Sequence, residues 1–197
     1  MVLGCSQRAL RAAAQPRLPP GLALLDRPSG GGAVLIGPWL VSVSVVLPHG
    51  HAWARGGLVD SYRQLGLLHA DVLAGLGVTA QALPPAAVAP ANARMGPTVG
   101  WACYGSLAPW ELVDAQGRKL VGLAQRRQRT GILLVAGTLV SAPPWSLLCE
   151  AMGNPQDTPV LQHRTVSCDA LAASPCTPQA LAAALQQALE DGLAAAG

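Results

Sequence analysis

Phenylalanine is absent from this 197-residue chain, tyrosine occurs twice, and lysine occurs once, at position 119. With twelve arginines, the average cation is therefore an arginine, a bias that also fits a GC-rich genome. The arginines are scattered except at Arg118, Arg126, Arg127 and Arg129, and no broad basic face is interleaved with aromatics, so nucleic acid is not an expected partner. That cluster is instead suited to an acidic protein. Uninterrupted apolar runs fall well short of the roughly 18 residues that a membrane span requires. The longest near the N-terminus is Ala33 to Ile36, and the first twenty residues carry Arg8, Arg11 and Arg17 without the apolar segment of a secretory signal. A soluble, cytoplasmic protein with no membrane partner is the expectation. Cys5, Cys103, Cys149, Cys168 and Cys176 include no Cys-x-x-Cys pair, which argues against a zinc site or a disulfide framework and leaves free thiols and no metal.

What is present is ample apolar material, 51% of residues with a mean hydropathy of +0.35, enough for the core of one domain spanning 1–197. Residues 1–8 read as a strand fragment followed by a short Ala/Arg helix that Pro16 ends. Short strands are expected at Leu22 to Leu25 and Ala33 to Ile36. Leu40 to Leu47 alternates Ser42 and Ser44 with Val41, Val43 and Val45, the period of a strand buried on one face. His49 to Gly57 reads as loop. From Asp60 or Ser61 a helix follows, with Tyr62, Leu65, Leu68, Val72, Leu73 and Leu76 on a 3.6-residue period and Gly77 as its stop. Pro84 to Pro97 has no periodicity and is expected to be a mobile or irregular connection.

Trp110 to Ala115, Lys119 to Gln125 and Ile132 to Val140 read as three strands of an antiparallel meander. A short helix over Ser146 to Met152, a weak strand near Thr165 to Ser167 and a last helix capped by Thr177 with Pro178 at its first position complete the chain. Strands and helices without regular alternation give an α+β fold with a mixed, largely antiparallel sheet flanked by helices.

Two motifs in this order resemble the biotin/lipoate protein ligase and octanoyltransferase superfamily. They are Arg27-Pro-Ser-Gly-Gly-Gly-Ala-Val34 and Gly117-Arg-Lys-Leu-Val-Gly-Leu-Ala-Gln-Arg126, the latter followed by Gly137-Thr138-Leu139. Val2-Leu-Gly-Cys-Ser-Gln7 is similar to the family strand that ends in Gly-x-x-Gln. Cys103-Tyr104, then Trp110-Glu-Leu-Val113, looks like the segment that precedes the lysine motif in cysteine-dependent octanoyltransferases. The chain departs from the family at Asp26, where a second arginine is usual, at Ile36 and Ala136, where histidines are common, and in lacking the helix that precedes the first strand.

The resemblance implies the fold of the class II synthetase and biotin–lipoate ligase catalytic domains. It also implies transfer of an octanoyl or lipoyl group to a carrier lysine, with acyl carrier protein as donor. The recipient would be a lipoyl domain or a glycine-cleavage H-type protein. An octanoyltransferase of this kind needs no cofactor, an ATP-dependent lipoate–protein ligase would need ATP and Mg2+, and a relative retaining only binding is the third reading. Cys103 would be the nucleophile and Lys119 the group that polarises the acyl carbonyl. Arg27, Ser29, Gly30, Gly31, Gly32 and Ala33 would form the acyl- or adenylate-binding loop, with Gly122, Gln125, Gly137 and Thr138 in support. From the residues alone, blander readings stand beside these: a ligand-free glycine hairpin loop, a solvated edge lysine and an inert core cysteine.

Overall fold

A computed structural model describes residues 1–173 and 175–196. Its framework is a five-stranded, wholly antiparallel sheet of β3 (Leu40–Leu47), β4 (Gln81–Ala82), β5 (Leu112–Val113), β6 (Lys119–Gln128) and β7 (Gly131–Leu139), ordered β3-β7-β6-β5-β4. The β5–β6–β7 meander read from the sequence is present, with Gly122 opposite Gly137 and Gln128 opposite Gly131 at the hairpin end. A separate parallel ladder joins β1 (Val2–Leu3) to β2 (Leu25–Asp26). Val2 also exchanges two backbone hydrogen bonds with Val34.

One sheet face is closed by α3 (Leu58–Gly75) and α8 (Pro178–Ala195). Leu65 and Leu73 of α3 and Leu181 and Leu185 of α8 are fully buried, as are Leu120 and Leu134 of the sheet. Each such leucine contributes roughly 1.5–3 kcal/mol against exposure, so apolar burial, including the period expected of α3, holds this layer. Thr177 caps α8 by accepting from the Ala180 amide at 3.2 Å. Gly77, at φ +73°, stops α3 as expected. The helix nevertheless begins before Asp60, at Leu58 with Gly57 at its cap position, and the Ser61 hydroxyl lies inside the first turn, within reach of the carbonyls of Trp53 at 2.7 Å and Gly57 at 2.9 Å.

Other local expectations are corrected, among them the strand at Ala33 to Ile36, where Ala33 and Val34 form only isolated bridges to Ala102 and Val2. His49 to Gly57 contains a helical turn, α2 (Ala52–Arg55), capped by the His51 ring, with Trp53 buried beneath it. Only Leu112 and Val113 of the segment from Trp110 to Ala115 pair as a strand, since Trp110 adopts φ +66° and turns the chain there. Pro84 to Pro97 is not an irregular connection. It holds α4 (Pro85–Arg94), which buries Ala91 despite Pro90 in its interior. Tertiary bonds outweigh the proline there: Asn92 exchanges two hydrogen bonds with Leu107, and the buried Arg164 donates to Asn92 Oδ1 and to the carbonyls of Gly96 and Pro97.

The remaining helices, α1 (Arg11–Ala14), α5 (Trp145–Ala151), α6 (Thr158–Arg164) and α7 (Cys168–Leu171), lie outside the sheet. Thr165 makes only a single bridge to Lys119 where a weak strand was expected. No helix among the described residues is long and apolar enough to cross a membrane.

Candidate functional site

The other face of the sheet carries Gly122, Ala124, Leu133, Val135 and Gly137, and on it three loop segments meet. Ala33 donates to the Trp101 carbonyl at 2.8 Å, and Cys103 donates to the Ala33 carbonyl at 2.9 Å, so the glycine-rich loop and the cysteine segment form one ladder. Gln7 adds a third strand of contact by donating Nε2 to the Trp101 carbonyl at 2.8 Å. The approach is too close for side chains: a Cβ on Gly32 would stand 2.5 Å from the Trp101 oxygen, and one on Gly4 would stand 1.8 Å from the Gly31 oxygen. Gly31 itself has φ +95°.

Arg27 braces this loop rather than pointing clear of it, with Nε donating to the Gly30 carbonyl at 3.1 Å and Nη2 to the Gly32 carbonyl at 2.9 Å. Asp26, where the family has a second arginine, is paired with Arg11 at 3.2 Å. Among the described residues, the amides of Gly30, Gly31 and Gly32 donate to no backbone acceptor, and these glycines line a polar cavity. Ser29 is buried with its hydroxyl unpartnered beside an apolar cavity.

Lys119 is not a solvated edge lysine: it is 2% exposed. Its ammonium donates to the carbonyl of Cys103 at 2.7 Å and of Ser106 at 3.1 Å, and it meets Glu111 Oε1 at 2.6 Å. All three N–H groups thus have protein acceptors. The Tyr104 ring lies beneath the charge, with its centroid 5.2 Å away. Glu111, equally buried, also accepts from the amides of Leu123 at 3.1 Å and Ala108 at 2.8 Å. Burial pushes the Glu111 carboxyl above its ordinary range, while the ammonium and the two amides pull it back.

Cys103 is half-buried and lies where two cavities meet. One, of about 420 Å³, is apolar and runs over Val34, Leu40, Leu133 and Val135. The other, of about 530 Å³, presents Gln7, Tyr62, Glu111, Lys119 and Gln125. Leu123 and Ala124 line both. Burial raises the Tyr62 hydroxyl to about 12, so it stays a neutral phenol in the polar cavity.

Gly122 and Gly137 form a cross-strand pair for a steric reason. A Cβ on Gly137 would stand 3.0 Å from the Tyr104 hydroxyl, which donates to the Gly137 carbonyl at 2.6 Å, and one on Gly122 would stand 3.2 Å from Lys119 Cε. Gln125 holds α3 by donating to the Leu58 carbonyl at 2.8 Å. Thr138 is fully buried with its hydroxyl unpartnered, and it lines neither cavity. Of the other thiols, Cys5 is exposed and Cys149, Cys168 and Cys176 are buried away from the site. The described residues contain no cluster of three metal-ligating side chains.

The structure therefore gathers Cys103, Lys119, Gly122, Gln125, Gly137 and the loop from Arg27 to Ala33. It adds three residues that the sequence reading passed over as site members: Tyr104, Glu111 and Tyr62. Glu111 left a signal, being an acidic side chain set directly before the apolar pair Leu112-Val113 in a chain with one lysine.

Known proteins resemble this chain in sequence and in fold. Residues 1–189 match the lipoyl protein ligase A/B catalytic domain. The octanoyltransferase LipM of Kyrpidia tusciae is 30% identical over 181 residues, covering 89% of this chain and 64% of the relative, so the chain spans somewhat under two thirds of that protein. A lipoate-protein ligase A bound with ATP superposes with a TM-score of 0.64 at 17% identity, covering 98% of this chain and 68% of the other. A bipartite lipoate protein ligase of Thermoplasma acidophilum, studied with its E2 lipoyl domain, gives 0.60 at 15% identity and 98% and 67% coverage. These likenesses show the expected α+β ligase fold. The chain belongs to the lipoyl protein ligase A/B catalytic domain family.

Proposed function

We propose that this chain passes an octanoyl group through a thioester on Cys103 to a lysine of a lipoyl carrier domain, with octanoyl acyl carrier protein as the donor. The observation that carries this reading is the position of Cys103 at the junction of an apolar cavity and a polar one. The similarity to an octanoyltransferase supports it. The apolar cavity takes the acyl chain, whose burial favours binding by roughly 0.8 kcal/mol per CH₂.

The Cys103 thiolate attacks the donor's thioester carbonyl. The bond from that carbon to the donor sulfur breaks, and the donor thiol leaves with a proton. The deprotonated lysine amine of the acceptor then attacks the acyl-cysteine carbonyl, an amide forms and the Cys103 thiol is regenerated. The unpartnered amides of Gly30, Gly31 and Gly32 are donors for the acyl carbonyl or its oxyanion. Lys119, fixed on the Cys103 carbonyl, holds the thiol segment in place.

The same glycine amides would suit the phosphate of an adenylate, which is why ATP-dependent ligation is the alternative. Transfer from octanoyl carrier protein to a lipoyl domain, followed by mass spectrometry without ATP, separates the two. The proposal expects an octanoyl-lysine on the acceptor. Transfer that instead requires free lipoate, ATP and Mg2+ and survives Cys103→Ser would replace it with the ligase, and binding without any turnover would leave only a carrier-binding protein.

A further inference from the structure

The cavity face of the sheet continues past the site. Along β7, Gly137, Val135 and Leu133 share that face, opposite Ser42, Ser44 and Val46 of β3. The apolar cavity at Cys103 includes all of these except Val46. A neighbouring cavity of about 330 Å³ takes over there. It shares Pro28 and Leu133 with the first and adds Val46 and Ile132, with Arg126 and Gln128 among its polar residues. Val46 is 77% exposed, more than any other large exposed hydrophobic among the described residues.

We propose that this neighbouring cavity is an extension of the acyl site, so that Cys103 also accepts acyl groups of about 12 to 14 carbons, whose distal part lies on Pro28, Leu133 and Val46. The inference rests on the acyl-transfer reading and widens its substrate class. The loading step is the same thioester exchange, with the donor thiol leaving as its proton is returned.

Length decides how far each chain reaches. Tyr104, the residue after Cys103, donates to the Gly137 carbonyl at 2.6 Å, which sets the start of the acyl chain beside Gly137. Strand residues advance about 3.4 Å each, so Val135 and Leu133 lie roughly 7 and 14 Å farther along β7. An extended chain advances about 1.2 Å per bond, so the seven carbon–carbon bonds of an octanoyl group span about 8 Å and the thirteen of a tetradecanoyl group about 15 Å. Octanoyl therefore ends just beyond Val135, and the longer chain reaches Leu133 and the exposed Val46. The other way out, across the edge strand at Ser42 and Ser44, is bordered by hydroxyls, so a hydrocarbon is favoured toward Val46.

The test is competitive loading of the full chain from equal amounts of octanoyl and tetradecanoyl acyl carrier protein, with the two adducts compared by intact mass at early times. Both donors share one carrier, so any effect on carrier binding cancels in the ratio. A site that ended at octanoyl would discriminate strongly, since a single methylene without room costs roughly 10- to 200-fold; the extension predicts a tetradecanoyl adduct at no less than about one tenth of the octanoyl adduct. Val46→Glu, made on an exposed side chain, should lower that ratio by at least about threefold by placing a carboxylate beside the chain, whereas Val46→Leu should not. A ratio below about one tenth in the unaltered protein overturns the extension while leaving octanoyl transfer intact, and so does a smaller change in Val46→Glu or an equal fall in both variants. No adduct of either length would remove the acyl-transfer reading and this extension with it.

Discussion

The Lys119 ammonium lies 2.6 Å from Glu111 Oε1, and each residue is 2% exposed, so the chain's one lysine is half of a buried ion pair. The pair closes a small circuit. Lys119 holds the carbonyls of Cys103 and Ser106, and Glu111 holds the amides of Ala108 and Leu123, so the segment from 103 to 111 is pinned to β6 by two opposite charges.

Breaking that pair from one side strands a buried charge. Lys119→Met should lower stability by about 3–5 kcal/mol in urea unfolding, and Lys119→Met/Glu111→Leu by clearly less than the sum of the two single changes. The deficit of Lys119→Met also depends on pH. Glu111 already has a raised pKa in the folded protein and loses the ammonium that lowers it, so the folded variant binds more protons than the unfolded chain. Stability of the variant should then fall as pH rises from the unfolded value of 4.5 through the raised folded value, and its deficit should be smaller near pH 4.5 than at pH 7.

His69 supplies the opposite dependence. It is fully buried in α3 with Nδ1 on the Leu65 carbonyl at 2.8 Å, and burial lowers its pKa from 6.5 to about 4. The unfolded chain binds the extra proton, so this contribution is complete above pH 6.5 and is lost as pH falls toward 4, on the order of 3 kcal/mol across that window. His69→Leu should reduce the loss of urea stability between pH 7 and pH 4.5.

The glycine-rich loop gives a paired contrast. A Cβ on Gly32 meets backbone atoms of Trp101, Ala102 and Cys103 within 2.7 Å, which cannot swing aside, whereas one on Gly30 meets nothing within 4 Å. Gly32→Ala should cost about 1–3 kcal/mol and change the alkylation rate of Cys103, while Gly30→Ala should stay within about 0.5 kcal/mol. Thermal unfolding and iodoacetamide labelling check both.

Much of this was legible in the sequence because the elements that matter most are periodic. The alternation in β3 and the apolar 3.6-residue period of α3 each follow from spacing alone, and each is found. The order of the glycine and lysine motifs then brought Cys103, Lys119 and the loop to one place. What was not legible depended on long-range contacts. α4 persists through Pro90 because Arg164, 72 residues beyond Asn92, holds that side chain. Trp110 takes a left-handed turn that no propensity signals, and that turn precedes Glu111. The resemblance implies that Lys119 binds the acyl carbonyl, whereas its three donors are spent on acceptors contributed by three different residues of the segment from 103 to 111.

The most direct test of the account is the intact mass of the protein after incubation with octanoyl acyl carrier protein. The account predicts one added octanoyl group, released by hydroxylamine and absent from Cys103→Ser. The same adduct on Cys103→Ser, or no adduct on the unaltered chain under conditions where a known octanoyltransferase is acylated, would contradict it.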